Sequence, residues 1–152
     1  MRLDTLLKRD RVLVLDACKD RNELFARLIE PVDSLGPSAE DLIDALKKRE
    51  ALGPTSTPDG VAFPHAMLEG ITETALVVAL VKGGTNFEVG DHPHCDLIFC
   101  MFGSPARPWE HVQLLARLAR ISRGDDALDR LRACTDNESL YAALAEEDRR
   151  HV

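Results

Sequence analysis

Three side chains of this sequence have the types that phosphoryl chemistry requires: Arg49, His65 and His111. A neutral histidine nitrogen is a nucleophile near neutral pH and can accept a phosphoryl group. Arginine presents a planar fork of N–H groups that fits phosphate oxygens, and a second histidine can donate a hydrogen bond to the developing charge. The spacing of the three residues along the chain does not by itself show that they converge.

His65 stands in the stretch Gly-Val-Ala-Phe-Pro-His-Ala, from Gly60 to Ala66. Pro64 fixes its own φ and disfavours a helical conformation at Phe63, so we predict that an extended strand leads to the histidine. Gly60 permits a tight turn at the start of this strand. Taken alone, the stretch slightly favours a strand-end histidine without a chemical role over a catalytic one.

The same stretch resembles the active-site signature of the fructose/mannitol-type enzyme IIA domains of the bacterial sugar phosphotransferase system, a family that includes the nitrogen-regulatory enzyme IIA proteins. Upstream, Arg-Glu-Ala-Leu-Gly at 49–53 is similar to the family's Arg-Glu-x-x-Gly segment. Segments 96–99 and 110–119 resemble the family's later strand and the helix that bears its second histidine. The resemblance runs over about 12–144, in the family's order.

The resemblance implies a phosphocarrier. His65 would accept a phosphoryl group from the phosphohistidine of the carrier protein HPr, and then pass it to a cysteine of an enzyme IIB or hold it as a regulatory signal. Arg49 would bind the phosphoryl oxygens, and His111 would donate a hydrogen bond to the phosphate. The family implies no metal ion and no organic cofactor.

The loop before the histidine departs from the family's Thr-Gly-[Ile/Val]-Gly-x-Gly pattern, because it reads Thr-Ser-Thr-Pro-Asp-Gly from Thr55 to Gly60. Ser56 and Pro58 replace two glycines, and Pro58 lacks a backbone N–H that could face an anion. Thr55 and Ser56 are the phosphate-binding residues that we expect in this loop. The altered loop keeps a second function open: a regulatory protein-binding module on the same fold with impaired transfer, in which phosphorylation of His65 tunes contact with a partner.

Apolar periodicity predicts an α/β fold: a single-domain sandwich in which a mixed, mostly buried β-sheet is flanked by helices on both faces. The domain would span residues 1–152, with a core over about 12–144. The predicted strands are 12–15, the segment that ends at His65, 75–81 ended by Lys82-Gly83-Gly84, and 96–102. The predicted helices are 20–29, 38 to 49 or 51, 108–121, 125–133 and a last helix capped by Thr135 with Glu138. In the helix 108–121, Val112, Leu115, Leu118 and Ala119 recur at helical spacing and are expected to face inward. The polar end of the last helix, 146–152, is expected to be frayed.

Composition narrows the function classes. The chain has 152 residues and a net charge of −7, with a pI of about 5.2, which argues against a nucleic-acid-binding protein. No apolar run approaches the roughly 20 residues of a membrane span, and the charged N-terminal segment does not resemble a signal peptide. We therefore expect a cytoplasmic protein with no direct membrane insertion. Its four cysteines form no C-x-x-C pair, so we expect them to be reduced and mostly buried.

A competing site for chemistry is the segment Asp91-His92-Pro93-His94-Cys95-Asp96, whose imidazole, thiol and carboxylate donors suit zinc. Adjacent residues of a strand point to opposite faces, so a polar turn that enters a buried strand is the favoured interpretation. The sequence also lacks a Gly-x-Ser-x-Gly elbow, a P-loop and a dinucleotide-binding fingerprint. Trp109 and Phe102 are interpreted as core residues, with an apolar rim for a partner protein as the alternative.

Overall fold

The computed structural model describes residues 2–88, 90–124 and 126–151. Within these ranges the strands are β1 (Val12–Leu15), β2 (Val61–Ala62), β3 (His65–Met67), β4 (Ala75–Asn86) and β5 (His94–Gly103). They form one sheet with the order β1-β4-β5-β2, in which β3 also pairs with β5. β4 and β5 are antiparallel, whereas β1 is parallel to β4, and β2 and β3 are parallel to β5. The sheet is therefore mixed, as predicted.

Helices cover both faces of this sheet. α1 (Arg21–Ile29) and α2 (Ala39–Leu52) pack on one face, and α3 (Pro108–Ser122), α4 (Ala127–Arg132) and α5 (Asn137–Arg150) pack on the other. Short 3-10 turns occupy Leu3–Thr5, Arg9–Arg11 and Glu30–Leu35. α1 and α2 begin as predicted, because Asp20 accepts a hydrogen bond from the N–H of Glu23, and Ser38 accepts one from the N–H of Asp41.

The central strands alternate their side chains between two apolar cores. In β4, Val77, Ala79 and Val81 enter the core shared with α1 and α2, whereas Leu76 and Val78 enter the core shared with α3, α4 and α5. β5 alternates in the same way. This burial on both faces explains why both strands read as nearly continuous apolar runs, and it confirms the predicted α/β sandwich.

Two strand boundaries differ from the prediction. The strand that leads to His65 is interrupted at Phe63-Pro64, so β2 and β3 lie end to end along β5. The prediction that Lys82-Gly83-Gly84 ends the preceding long strand is wrong, because β4 continues through these residues. Both glycines have positive φ, +80° and +78°, at the irregularity between Leu80 and Thr85. Glycine adopts this conformation without strain, so here it allows a bulge instead of ending the strand.

The C-terminal helix is better anchored than predicted. Asp136, and not Thr135, caps α5 in a capping box with Ser139. The prediction of a frayed polar end is wrong as far as Arg150, since α5 stays helical to that residue and Asp148 is buried. Asp148 pairs with Arg117 of α3, with 2.8 Å between Oδ1 and Nε. Hydrophobic patterning misses such an anchor because both partners are charged.

α3 presents a different face to the core from the one predicted. Its buried apolar residues are Leu114, Leu118 and Ile121, all in the later turns. Val112 is 63% exposed and Trp109 is 58% exposed, so the predictions that these two residues face the core are wrong. Because the helix contacts the sheet mainly through its later turns, Trp109 and Val112 stay at the surface.

Three smaller predictions can also be compared with the structure. α4 begins at Ala127, and its predicted start, Asp125, lies outside the described residues. The cysteines are buried and free, as predicted. Across the described ranges, the helices are too short or too polar to cross a membrane.

Candidate functional site

The backbone around Pro64 fixes the position of His65. His65 opens β3 and pairs with Met101 of β5, whose N–H donates to the carbonyl of Pro64 at 3.0 Å. The ring of Phe63 stacks on that of Phe99, with 5.7 Å between their centroids. The half-buried imidazole of His65 therefore projects from a rigid strand end.

Arg49, in the last turn of α2, contacts this imidazole directly. Its Nε lies 3.0 Å from Nε2 of His65, and its Nη1 donates to the carbonyl of Gly53 at 2.9 Å. Because a guanidinium has only donors, Nε2 of His65 must be the unprotonated, accepting nitrogen. Nδ1 then carries the proton and donates to the carbonyl of Phe63, 3.1 Å away. These contacts select one neutral tautomer and leave the lone pair on Nε2.

His111 lies beside His65. The two ring centroids are 4.6 Å apart, and the ring planes are inclined by 41°. His111 sits near the start of α3, which Pro108 opens at a position where its missing N–H costs no hydrogen bond. The positive end of the helix dipole favours an anion here and disfavours a protonated histidine. The fold thus brings Arg49, His65 and His111 together, which their spacing in the sequence does not show.

Both histidines are held toward their neutral forms. Burial is the largest cause that lowers the pKa of His65 below its ordinary 6.5, and the charge of Arg49 lowers this pKa further. The hydrogen bond to the Phe63 carbonyl and the charge of Glu50 raise the pKa and so offset part of this change. Burial also lowers the pKa of His111, and the nearby His65 and Arg49 act in the same direction. A neutral imidazole retains the lone pair that nucleophilic attack on phosphorus needs.

Thr55 stands behind the histidine and is tied to a buried carboxylate. Glu50 is 1% exposed, and it accepts hydrogen bonds from the N–H of Thr55, at 3.2 Å, and from the Thr55 hydroxyl. The same hydroxyl accepts a hydrogen bond from the N–H of Phe63 at 3.3 Å. These contacts are internal to the protein, and the predicted role of Thr55 toward phosphate stays a prediction. Glu50 was missed as a candidate, although it follows Arg49 in the segment that resembles the family.

Ser56 lies on the core side of the loop. It bridges to Ala62, and its buried hydroxyl has no hydrogen-bond partner among residues 2–88, 90–124 and 126–151. The hydroxyl is close to the thiol of Cys95, whose pKa burial raises to about 12. No contact in the described chain brings Ser56 to His65, and its phosphate contact also stays a prediction.

Residues 91–94 and Asp96 line a separate polar cleft of about 670 Å³, together with Gly83-Gly84, residues 57–60 and Arg132. Arg49, His65 and His111 are not in its lining, so this cleft is not where the histidines meet. Asp96 pairs with Arg132 at 2.9 Å. Among the residues that the structure describes, no three His, Cys, Asp or Glu side chains are arranged to hold a metal ion. Residues 91–93 lead into β5, and His94, Cys95 and Asp96 are the first three residues of that strand.

Three large apolar side chains that lie close in sequence to the site residues are exposed. Leu52, one helical turn after Arg49, is 86% exposed, and Trp109 and Val112 lie on either side of His111 in the sequence, at 58% and 63% exposure. We call Leu52, Trp109 and Val112 the apolar rim. Large apolar side chains grouped at the surface are typical of a protein-docking site. The sequence offered Trp109 and Phe102 as an alternative apolar rim, but Phe102 is buried in the core, and Leu52 was not a candidate.

Most of the chain is similar to proteins of one family. The family model of the phosphoenolpyruvate-dependent sugar phosphotransferase system, EIIA 2, matches residues 5–147. A nitrogen regulatory protein of Bradyrhizobium diazoefficiens is 32% identical over 110 residues, which are 72% of this chain and 72% of that protein. The PTS system 2-O-alpha-mannosyl-D-glycerate-specific EIIABC component of Escherichia coli is 30% identical over 148 residues, which are 95% of this chain and 22% of that protein.

Solved structures share the fold. The nitrogen regulatory protein IIA-Ntr from Neisseria meningitidis matches with a TM-score of 0.82 at 24% identity, over 92% of this chain and 97% of that one. A chain in the complex of enzyme IIAMTL and phosphorylated enzyme IIBMTL from Escherichia coli matches with a TM-score of 0.73 at 18% identity, over 92% and 97%. At these identities the similarity shows the fold alone.

Proposed function

Because the chain belongs to the EIIA 2 family of the phosphoenolpyruvate-dependent sugar phosphotransferase system, we propose that it is a phosphocarrier with His65 as its phosphoryl acceptor. In this proposal, phosphorylated HPr in the cytoplasm is the donor. The phosphoryl group then moves to an enzyme IIB, or the phosphorylated state is itself a regulatory signal. The observation that carries the proposal is the 3.0 Å contact between Nε of Arg49 and Nε2 of His65, with the ring of His111 4.6 Å from that of His65.

Nε2 of His65 is the proposed nucleophile. Its lone pair attacks the phosphorus of the donor phosphohistidine, so that a new N–P bond forms while the donor's N–P bond breaks. The electron pair of the broken bond returns to the donor imidazole. No proton has to leave His65, because its single ring proton is on Nδ1. The carbonyl of Phe63, which accepts that proton's hydrogen bond at 3.1 Å, stabilises the ring as it becomes more positive.

Arg49 and His111 are the proposed phosphate ligands. In the unphosphorylated site Arg49 donates to the lone pair of Nε2, so its N–H groups must turn to the phosphoryl oxygens as the phosphate arrives. Its second contact, to the carbonyl of Gly53, keeps the guanidinium in place during this change. A neutral His111 donates one N–H without adding a second full positive charge. Donors that are positioned in advance stabilise the charge of the transferring group most effectively.

The apolar rim is the proposed docking surface for the donor and acceptor proteins. Transfer between two proteins requires a close, water-excluding contact around the reactive groups, and exposed apolar side chains provide such a contact. The net charge of −7 favours a partner with a basic face and disfavours a nucleic acid. The proposal therefore has two protein partners and no small-molecule substrate.

The loop before the histidine favours a second candidate function, a regulatory protein-binding module with impaired transfer. Pro58 lacks an N–H for an anion, the Thr55 hydroxyl is used within the protein, and the Ser56 hydroxyl is buried. In this alternative a phosphate on His65 changes the charge beside the apolar rim, and a regulated partner binds or dissociates in response.

Phosphorylation in a reconstituted system tests both functions. The protein is mixed with phosphoenolpyruvate, enzyme I and HPr from the same source, and its intact mass is measured at neutral or basic pH. One acid-labile phosphate that is lost in His65→Ala and kept in His94→Ala, an exposed histidine of the polar cleft, supports the phosphocarrier. A folded protein that gains no phosphate beside a working control enzyme IIA refutes transfer from that HPr and favours the binding module.

A further inference from the structure

We infer that Glu50 is a positioning residue of this site, which acts through Thr55 on both the ring tautomer of His65 and the orientation of Arg49. The consequence for transfer rests on the proposed function. The tautomer is a property of the unphosphorylated protein and can be measured without any partner. Glu50 touches neither reacting atom, so its role differs from those of Arg49 and His111.

One connection runs from Glu50 to the imidazole. The Glu50 carboxylate accepts from the Thr55 hydroxyl, the Thr55 oxygen accepts from the N–H of Phe63 at 3.3 Å, and the Phe63 carbonyl accepts from Nδ1 of His65 at 3.1 Å. Phe63 is thus held at its N–H and at its carbonyl. The carbonyl that selects the tautomer of His65 belongs to a residue whose backbone is anchored by Thr55.

The direction of this connection is set by the charge of Glu50. An ionised carboxylate can only accept, so the Thr55 hydroxyl must donate its proton to Glu50 and turn a lone pair toward Phe63. An amide at position 50 would present a donor as well as an acceptor, and the hydroxyl would no longer have one required orientation. The carboxylate is 1% exposed, so water does not compete for these hydrogen bonds.

A second connection runs from Glu50 to Arg49. The N–H of Gly53 donates to the backbone carbonyl of Glu50 at 3.2 Å, and the N–H of Thr55 donates to its side chain at 3.2 Å. The chain is therefore held at both positions as it leaves α2. This places the carbonyl of Gly53 where it accepts from Nη1 of Arg49 at 2.9 Å. Loss of the Glu50 side-chain contacts would release the loop that orients the guanidinium.

The test compares four variants of the full chain. Thr55→Val removes the hydroxyl at nearly constant volume, whereas Thr55→Ser retains it. Glu50→Gln keeps the size of the side chain and removes its charge. Glu147→Gln is the matched control, because Glu147 is a buried carboxylate, 2% exposed, in the opposite core layer.

Two readouts are taken on each folded variant. Nitrogen-15 NMR of the imidazole reports the ratio of the two neutral tautomers of His65 in the unphosphorylated protein. The initial rate of phosphorylation by HPr reports transfer. We expect Thr55→Val and Glu50→Gln to lower the Nδ1–H tautomer ratio and the rate by about three- to tenfold each, the factor of one hydrogen bond. Thr55→Ser, which keeps the hydroxyl, should lose less than Thr55→Val in both readouts, and Glu147→Gln should resemble the wild type in both.

The outcomes separate the inference from the proposed function. Unchanged tautomer ratios in both Thr55→Val and Glu50→Gln would overturn the inference, and so would a change in the tautomer ratio of Glu147→Gln as large as that of Glu50→Gln. If Thr55→Val does not fold, Glu50→Gln decides by the same criteria. If wild-type protein is not phosphorylated at all, the proposed function fails, while a shifted tautomer ratio still supports Glu50 as a positioning residue.

Discussion

Replacing Arg49 with glutamine removes the cation that lies 3.0 Å from the nucleophilic nitrogen of His65. The guanidinium can donate to Nε2 only while that nitrogen is unprotonated, and protonation would bring two cations into contact. Arg49 therefore lowers the pKa of His65, although burial is the larger cause. We expect Arg49→Gln to raise the pKa of His65 and to slow its phosphorylation by HPr.

The size of the rate effect follows from the role proposed for Arg49. Loss of one preorganised donor that stabilises transition-state charge typically costs about 10²- to 10³-fold in rate. The site is half-exposed, so water partly replaces the lost donor and the lower end of that range applies. We therefore expect a loss of about 100-fold at neutral pH, equivalent to about 2.7 kcal/mol.

The pH dependence gives the sign of the electrostatic effect. In the wild type the pKa of His65 lies below 6.5, so the ring is neutral at neutral pH and transfer falls only on further acidification. In Arg49→Gln the fall should begin at a higher pH. Initial rates between about pH 5.5 and pH 8, together with NMR titration of the His65 ring protons, measure both effects.

Arg149→Gln is the matched control, because Arg149 is an exposed residue of α5 that pairs with Glu146. It should leave both the rate and the titration of His65 unchanged. A folded Arg49→Gln protein in which the pKa of His65 is unchanged or lower would refute the electrostatic reasoning. A rate within about twofold of the wild type would refute the proposed phosphate-binding role of Arg49.

Three further predictions concern stability and docking. Because folding lowers the pKa values of His65 and His111, the unfolded chain binds more protons than the folded chain as the pH falls below 6.5. The free energy of unfolding should therefore decrease on acidification. Urea titrations should show a weaker pH dependence of this free energy in the His65→Asn, His111→Asn double variant. Asp148→Ala leaves a buried cation unpaired and should lower the free energy of unfolding by about 3 kcal/mol, whereas the exposed Glu146→Ala should have no measurable effect. Leu52→Asp should raise the KM for phosphorylated HPr about tenfold, with kcat nearly unchanged.

Clear results would contradict each of these predictions. Equal pH dependence in the wild type and the double variant would exclude the two histidines as its cause. Equal losses of stability in the Asp148 and Glu146 variants would refute the buried ion pair. For docking, Lys48→Ala makes the same change in net charge on the same helix as Leu52→Asp. Equal KM values in those two variants would exclude Leu52 from the docking surface.

Local features of the fold were predictable because their causes are local. The caps Asp20 and Ser38 bond to backbone N–H groups three residues away, so the starts of α1 and α2 can be read from neighbouring residues. β1 and β5 were predicted from short apolar runs, because both faces of the sheet are covered. The family was also predictable, since each sequence segment that resembles the family, such as 49–53 and 60–66, is contiguous in the chain.

Other features depend on partners that are distant in the sequence. Arg117 and Asp148 are charged and were expected at the surface, and they are buried because each neutralises the other. Val112 fits the apolar period of α3 and is nevertheless exposed, because the contact of that helix with the sheet lies further along. β4 continues through Gly83-Gly84 because β5 pairs with it again beyond these glycines, at Thr85 and Asn86.

For the candidate site, the sequence by itself determined the residue types: an arginine at a helix end, a histidine after a proline, and a second histidine near a helix start. Tertiary structure decided that Arg49 donates to Nε2 of His65, that Phe63 accepts from Nδ1, and that the buried Glu50 lies behind them. Residue type limits which hydrogen bonds are possible. Their direction and the loss of water around them are set by groups that only the folded chain brings together.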